Sequence, residues 1–349
     1  MSFVPPRCPN VSCEQHVRPA AGFFRRDGYY HPRCRSDAVQ RFRCTSCRRR
    51  FSRQTFRHDY RDRRPYDNVR LFLLLISGVG LRQCGRVLGM DIRAVQQKQW
   101  KMAATLADLH GNLCQQLPTD RRWLLDEEET YEGASIRPLT MPVLIEKETW
   151  FVVATAVGSI RRLAKAGSAR RRRQDRDERS GPRPDQSSQC VQTVLQALAD
   201  RVPTGSVVLH TDQKASYATI ASSVFGSRLQ HVTTAGTLVR ATHNPLFPIN
   251  TTLAMSRDNC GRLRRRSWLV TKQASRLQSQ MAIFLVYRNY VRRRFNRDKE
   301  SQTPAKLLGL LPRQLRKHEV LAWRQDWGNH SIHPMSLDGS RSVRDAVAA

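Results

Sequence analysis

The chain has 349 residues, with 60 Lys+Arg against 29 Asp+Glu and a formal net charge of +31. Self-repulsion from so large an excess opposes compaction, which argues against a free-standing metabolic enzyme and points to a polyanionic partner, nucleic acid first. Hydrophobic residues make up 40% of the chain, enough to build cores, so wholesale disorder is excluded.

The length corresponds to roughly two or three domains. The N-terminus, MSFVPPRCPN, has no apolar signal-peptide core. The longest apolar run, Leu71 to Ile76, is too short to span a bilayer. The expectation is a reduced, cytoplasmic, nucleoid-associated chain with no membrane partner. Residues 1–65 carry 16 Arg against 5 acids, a local net of +11. Of the 9 Cys in the chain, four form two close pairs: Cys8 with Cys13, and Cys44 with Cys47 in RFRCTSCRRRFS. Zinc takes four thiolates in a tetrahedron, and two close pairs on two turns supply them. Cys8, Cys13, Cys44 and Cys47 are therefore expected to hold one structural Zn²⁺ in a zinc ribbon. Cys34, His16, His31 and His58 compete for a ligand place. The bland alternative is free thiols in an ordinary core.

Residues 66–118 read as helices. Ser77-Gly78-Val79-Gly80 breaks the first, LRQCGRVLG carries the second, and Asp91-Ile92 opens a third. Leu81, Cys84, Val87 and Leu88 recur at helical spacing. A helix stopped at Gly89 and followed at once by another fits a helix-turn-helix, whose second helix enters the major groove. Arg93, Gln96, Gln97 and Lys98 would then face DNA. A plain three-helix bundle is the alternative.

Residues 119–160 switch to strand signals in WLLDEEETY, TMPVLIEKE and TWFVVATAVGSI. Residues 161–188 read as a basic loop containing the tract Arg170–Arg173. A helix at 190–202, a strand at 206–212, a helix at 217–226 and a short strand at 228–234 follow. Residues 250–297 read as a long basic helix broken once, and 301–349 as a tail. From Arg257 to Arg297 the chain has 12 Lys+Arg against one Asp. Leu277, Met281, Phe284 and Val291 are the expected buried face there, and phosphate tracking is the expected role of the cations. Trp268, Tyr287, Trp323 and Trp327 are expected in cores.

Two acids follow apolar strands directly: Asp126 in WLLDEEETY and Asp212 in SVVLHTDQKASY. Strand-borne carboxylates of this kind suit a two-metal phosphoryl-transfer site. Taken singly, Asp126 could simply end its strand and Asp212 cap the next helix. The order of elements favours the pair, because it is the order of a ribonuclease H-like domain.

These segments together resemble a DDE-type insertion-sequence transposase of the zinc-ribbon kind, similar to the insertion-sequence-one family and its relatives. RFRCTSCRRRFS resembles the ribbon knuckle and LISGVGLRQCGRVLGMDIRAV the DNA-binding helices. LLDEEETYEG resembles the first-Asp motif, LHTDQKASY the second, and INTTLAMSRDNCGRLRRRSWLVTK the third-ligand helix, in which an acid is followed seven residues on by Lys or Arg. The resemblance implies an α+β multidomain chain: zinc ribbon (1–65), helix-turn-helix segment (66–118), ribonuclease H-like α/β catalytic domain with a mixed sheet (119–300, including the loop 161–188) and a tail (301–349). It implies two catalytic Mg²⁺ held by Asp126, Asp212 and Asn250, with Arg257 steadying a DNA phosphate and Arg264, Arg265 and Arg266 on DNA. Asn250 stands where the family commonly has Glu, and Asp258, which keeps a negative charge, competes for that place. The function implied is binding of an element's terminal inverted repeats in double-stranded DNA, metal-dependent strand cleavage and strand transfer, with self-association into a dimer or larger synaptic complex. The alternatives are a non-catalytic zinc-ribbon and helix-turn-helix regulator, or an inactivated relic.

Overall fold

The computed structural model describes residues 3–322 apart from 11, 33–36, 57–58, 61, 116, 162–166, 240, 265–267 and 297–300. Arg265, Arg266, Cys34, His58, Trp323 and Trp327 lie outside the described residues. The chain is α+β, with a cysteine cluster at its N-terminus and a mixed sheet in its main body.

The N-terminal unit starts with one helical turn, α1 (Glu14–Val17), and continues as three antiparallel strands, β1 (Phe24–Tyr30), β2 (Val39–Cys44) and β3 (Arg50–Ser52). It has its own small core of Phe23, Phe42, Phe51 and Phe56 with the buried cysteines, separate from the main one. The rings meet edge-on or stacked, as with Phe24 against Phe42 at 5.4 Å and Phe42 against Phe51 at 6.0 Å.

Three helices follow, α2 (Asn68–Ile76), α3 (Leu81–Leu88) and α4 (Ile92–Leu113). Gly89, at φ +58°, ends α3 in the left-handed conformation that glycine adopts without steric cost. Asp91 caps α4, its Oδ1 accepting the Arg93 N–H at 2.8 Å. Cys84 and Val95 are buried where α3 and α4 face each other. The second half of α4 sinks into the body: Met102 and Leu106 are fully buried, and Gln99 Nε2 donates to Gln280 Oε1 at 2.7 Å. One continuous core thus runs from α2–α4 into the sheet.

The main sheet contains β4 (Arg122–Tyr131), β5 (Pro138–Glu146), β6 (Val152–Thr155) and β7 (Gly158–Ser159). Two helices, α5 (Ser168–Ser180) and α6 (Ser187–Arg201), precede β8 (Val207–Thr211); α7 (Ala215–Phe225) leads to β9 (Leu229–Thr233). The strand order is β6-β5-β4-β8-β9, with β7 also pairing β5. β5 is antiparallel to its neighbours, whereas β4, β8 and β9 run parallel. β5 is buried along its whole length, as a central strand covered on both faces should be. After the sheet come α8 (Phe247–Asn259), α9 (Ala274–Val286), α10 (Pro304–Leu307) and α11 (Lys317–Ala322). Among the described residues no helix is long and apolar enough to cross a membrane.

The reading of 161–188 changes. The stretch 161–188, read as a loop, contains the helix α5. Its Arg, Gln and Glu are good helix formers, and Arg171 with Asp175 and Arg173 with Asp177 stand four apart. The break expected in the helical stretch 250–297 is present and divides it into two helices. α8 ends at Asn259, a single tight turn spans Gly261–Leu263, and α9 starts only at Ala274. The break is held by backbone bonds, with Thr271 N–H on the Arg262 carbonyl at 3.1 Å and Gly133 N–H on the Thr271 carbonyl at 2.7 Å. Leu277, Met281, Phe284 and Val291 are buried as expected. Trp268 is not in a core; it lies in the break and is 94% exposed. Tyr287 packs against Phe72 at 6.2 Å.

Candidate metal centres and nucleic-acid surface

The four paired cysteines meet. The Sγ atoms of Cys8, Cys13, Cys44 and Cys47 lie within 4.8 Å of one another. Cys8 and Cys47 are 3.5 Å apart and Cys13 and Cys44 3.9 Å. A tetrahedron with ~2.3 Å zinc–sulfur bonds has edges of about 3.8 Å, so the donor set fits zinc. Burial pushes the Cys8 and Cys13 thiols up. Burial also acts to raise Cys47, but the Arg49 backbone N–H and the neighbouring Cys8 and Asn10 outweigh it and bring that thiol down to about 7. His16 is not a ligand; its Nδ1 bonds the Cys8 carbonyl at 2.7 Å and braces the first pair from behind. His31 is exposed and outside the cluster.

The two aspartates are carried by neighbouring parallel strands. The β4–β8 ladder pairs Arg122 with Val208, Trp123 with Leu209 and Leu124 with His210. Asp126, inside β4, and Asp212, one residue past the end of β8, each follow the last pair by two residues, so both leave the ladder at the same end of the two neighbouring strands. Asp126 does not end its strand, since β4 continues to Tyr131. Asp212 does not cap α7; its Oδ1 accepts the Lys214 N–H at 3.0 Å and shapes the turn before that helix.

Residues beside the aspartates, not singled out from the sequence, tie them together. Glu127 Oε1 accepts from Thr140 Oγ1 at 2.9 Å and Ser187 Oγ at 3.0 Å. Its Oε2 accepts from Tyr217 Oη at 3.1 Å and from Lys214 Nζ. Burial, then the charges of Glu127, Asp126 and Asp212, hold the Tyr217 hydroxyl far above the ordinary phenol range. That ordering of causes means all three carboxylates lie within electrostatic reach of one ring. The signal was present in the motifs: Lys214 and Tyr217 follow Asp212 by two and five residues.

Helix α8 runs along β4 in the strand's own direction. Near its start Phe247 packs on Trp150 at 5.9 Å, and Trp150 donates to the carbonyl of Glu146, which pairs with Trp123 early in β4. Near its end Ser256 Oγ and Arg257 Nε donate to the Glu128 carboxylate at 2.6 and 2.7 Å. Strand alternation puts Glu128 on the face of Asp126. Asn250 lies between these anchors, two helical turns before Arg257 and on the same flank. Asp258 opens elsewhere, into a cleft of about 670 Å³ with Ser77, Tyr287, Arg292 and Arg293. Arg257 is half exposed although its Nε is engaged by the buried Glu128.

Of the residues expected on DNA, Arg93, Gln96, Gln97 and Arg264 are exposed. Lys98 corrects the expectation. It is 9% exposed, ion-paired to Asp62, and donates to Asn68 Oδ1 and the Arg64 carbonyl at 2.9 Å each. A cation so enclosed fastens the 60–68 segment to α4 and has no donor left for a phosphate.

No protein-family model matches the chain, and no curated protein matches its sequence.

Proposed function

We propose that the chain is a DNA transposase of the DDE type, with Asn in the third place. It binds the terminal inverted repeats of an insertion sequence and carries out strand cleavage and strand transfer. The observation that carries the reading is that Asp126 in β4 and Asp212 just past β8 follow the same pair of a parallel ladder by two residues each, with the helix of Asn250 laid along β4. The strand order β6-β5-β4-β8-β9, with only β5 reversed relative to the rest, supports a ribonuclease H-like sheet. Helices α3 and α4, joined through Gly89, support a helix-turn-helix with Arg93, Gln96 and Gln97 toward the groove.

Asp126, Asp212 and the Asn250 amide oxygen form an all-oxygen donor set of the hard kind magnesium prefers. Two magnesium ions bound there would polarise the scissile phosphate and stabilise the leaving oxygen. The protein's own residues supply position. Glu127, Lys214 and Tyr217 hold the two aspartate-bearing segments together, and Arg257, braced by Glu128, turns its remaining N–H groups to a phosphate. Water attacks the end phosphodiester, and the freed 3′-hydroxyl then attacks target DNA, with no covalent enzyme intermediate. Bringing two ends together requires a dimer or larger assembly. Cys8, Cys13, Cys44 and Cys47 hold the structural zinc, and the ribbon adds basic surface for the repeats.

The test is cleavage and joining, in Mg²⁺, of DNA taken from the ends that flank the coding sequence. Wild type should cut and join, while Asp126→Ala and Asp212→Ala bind without cutting; active variants would sink the site. One observation favours a second reading, a DNA-binding regulator or inactivated relic. The third place is a neutral amide, and the extra carboxylate beside it, Glu128, is already neutralised by Arg257. A wild type that binds the ends and never cuts them would establish that reading.

A further inference from the structure

A cleft of about 930 Å³ lies between the α3–α4 unit and the broken segment after α8. One wall carries Arg82, Arg86 and Arg93; the other carries Arg262, Lys272 and Arg276. No Asp or Glu among the described residues lines it. Six cations facing one trough repel one another, and only an anion relieves that cost. The floor shows the strain: burial first, and then the neighbouring Arg276, lower the pKa of the Arg262 guanidinium.

The trough is held open by its own backbone. A Cβ on Gly261 would lie 2.5 Å from the Gly78 carbonyl oxygen, so the turn after α2 and the turn after α8 touch main chain to main chain. Walls locked this way cannot fold away from their like charges. At the lip stands Trp268, 94% exposed. An indole left in water beside a row of guanidiniums matches the two needs of an unpaired nucleotide, a π-face for the base and cations for the phosphates. A duplex conceals its base faces, and an acidic peptide has none.

We propose that this cleft binds a single nucleic-acid strand, its phosphates along the six cations and an unpaired base stacked on Trp268. The proposal rests on the DNA-binding half of the transposase reading and is independent of the carboxylates. It assigns to this region a grip on a frayed or tailed DNA end in addition to any duplex contact of α4.

The test uses the full-length, zinc-loaded chain without magnesium, so that no strand is cut. Binding is compared for a blunt duplex and the same duplex with a short single-stranded tail containing 2-aminopurine. The tail should tighten binding roughly 5- to 150-fold, the range of base–aromatic stacking, and quench the 2-aminopurine. Trp268→Ala should remove both gains and leave blunt-duplex affinity as it was; Trp268→Phe should keep most of both. Because Trp268 is exposed, neither change threatens the fold. Arg262→Gln with Arg276→Gln should weaken tail binding and flatten its salt dependence. A wild type indifferent to the tail, a Trp268→Ala variant that keeps the preference, or a polyglutamate peptide that displaces the tail as well as free single strand does would each overturn the proposal. Asp126→Ala should bind the tail like wild type. Tail binding without any cleavage in magnesium therefore removes the transposase and leaves the cleft, whereas cleavage with no role for Trp268 does the reverse.

Discussion

Lys214, two residues after Asp212, is ion-paired through its Nζ to Glu127, the residue after Asp126. The bond ties the turn at the end of β8 to the middle of β4, and so ties one aspartate-bearing segment to the other. On the transposase reading, Lys214→Met should lower cleavage by about tenfold, roughly 1.4 kcal/mol of barrier, and added Mg²⁺ should restore part of the loss. Lys214→Arg should recover most of the rate. Stability should change by less than ~1 kcal/mol, because the lysine is partly exposed and Glu127 keeps Thr140, Ser187 and Tyr217. A rate loss that raised Mg²⁺ does not touch would mean the pair does not set the metal site.

The third position can be tested by charge. Asn250→Asp adds an anionic oxygen on the flank that faces β4, and should lower the Mg²⁺ concentration needed for half-maximal cleavage. Asn250→Ala should raise it. Asp258→Asn should do neither, because Asp258 opens into the cleft with Ser77 and Arg292. The check is a Mg²⁺ titration of cleavage in the three variants. A shift with Asp258→Asn alone would transfer the ligand to that residue.

With zinc as the metal of the cysteine cluster, its removal should act locally. The ribbon packs around Phe23, Phe42, Phe51 and Phe56 and its cysteines, and that cluster is separate from the main core. A strong chelator, or Cys44→Ser, should open residues 1–56 to protease while the main thermal transition moves by only a few degrees. Coincident loss of both, followed by limited proteolysis and calorimetry, would show that the ribbon is needed for the body to fold.

His110 should give the fold an acid limit. The buried ring donates from Nε2 to the Val153 carbonyl at 2.8 Å and accepts at Nδ1 from the Tyr290 hydroxyl at 2.9 Å. Burial lowers its pKa from 6.5 to about 4, against the pull of the Val153 bond. The folded value lies below the unfolded one, so this stabilisation is complete above pH 6.5 and is lost as pH falls toward 4. At about 1.4 kcal/mol per unit the full loss is of order 3 kcal/mol. Urea unfolding at pH 7 and pH 4.5 should show a steeper fall for wild type than for His110→Gln. Parallel curves would exclude His110 as the source.

The contact of Gly261 with the Gly78 carbonyl leaves no room for a methyl group. Gly261→Ala should destabilise the body by roughly 1–3 kcal/mol, the range for overpacking, and should also weaken binding in the Trp268 cleft. Denaturant midpoints read the first effect. An unchanged midpoint would mean that the two turns separate at little cost.

What the sequence made legible was local. The cysteine cluster was visible because each pair lies close in sequence, and the strands because their apolar runs are short and bounded. Asp126 and Asp212 were visible because each follows such a run. Long-range pairing was not legible. Lys98 reads as a DNA-facing residue by its charge, although it stands three residues after Val95 and four before Met102 on the buried face of α4, and only the fold brings Asp62, 36 residues earlier, onto it. Trp268 reads as core by composition, yet the chain breaks helix there and leaves it in water. Helix α5 was hidden because its stability comes from propensity and charge spacing, with no apolar stripe to announce it.

The continuous core from α2 through α9 has a further consequence on the transposase reading. The helices that would read the element end and the strands that would cut it form one body, fastened by Gln280 to both Gln99 and the Leu75 carbonyl. The protein then works as a ruler: the distance from recognised sequence to severed bond is a fixed length of DNA. Inserting a single base pair between them advances the scissile phosphate by about 3.4 Å. The cut should therefore keep its distance from the bound repeat and fall on a different nucleotide.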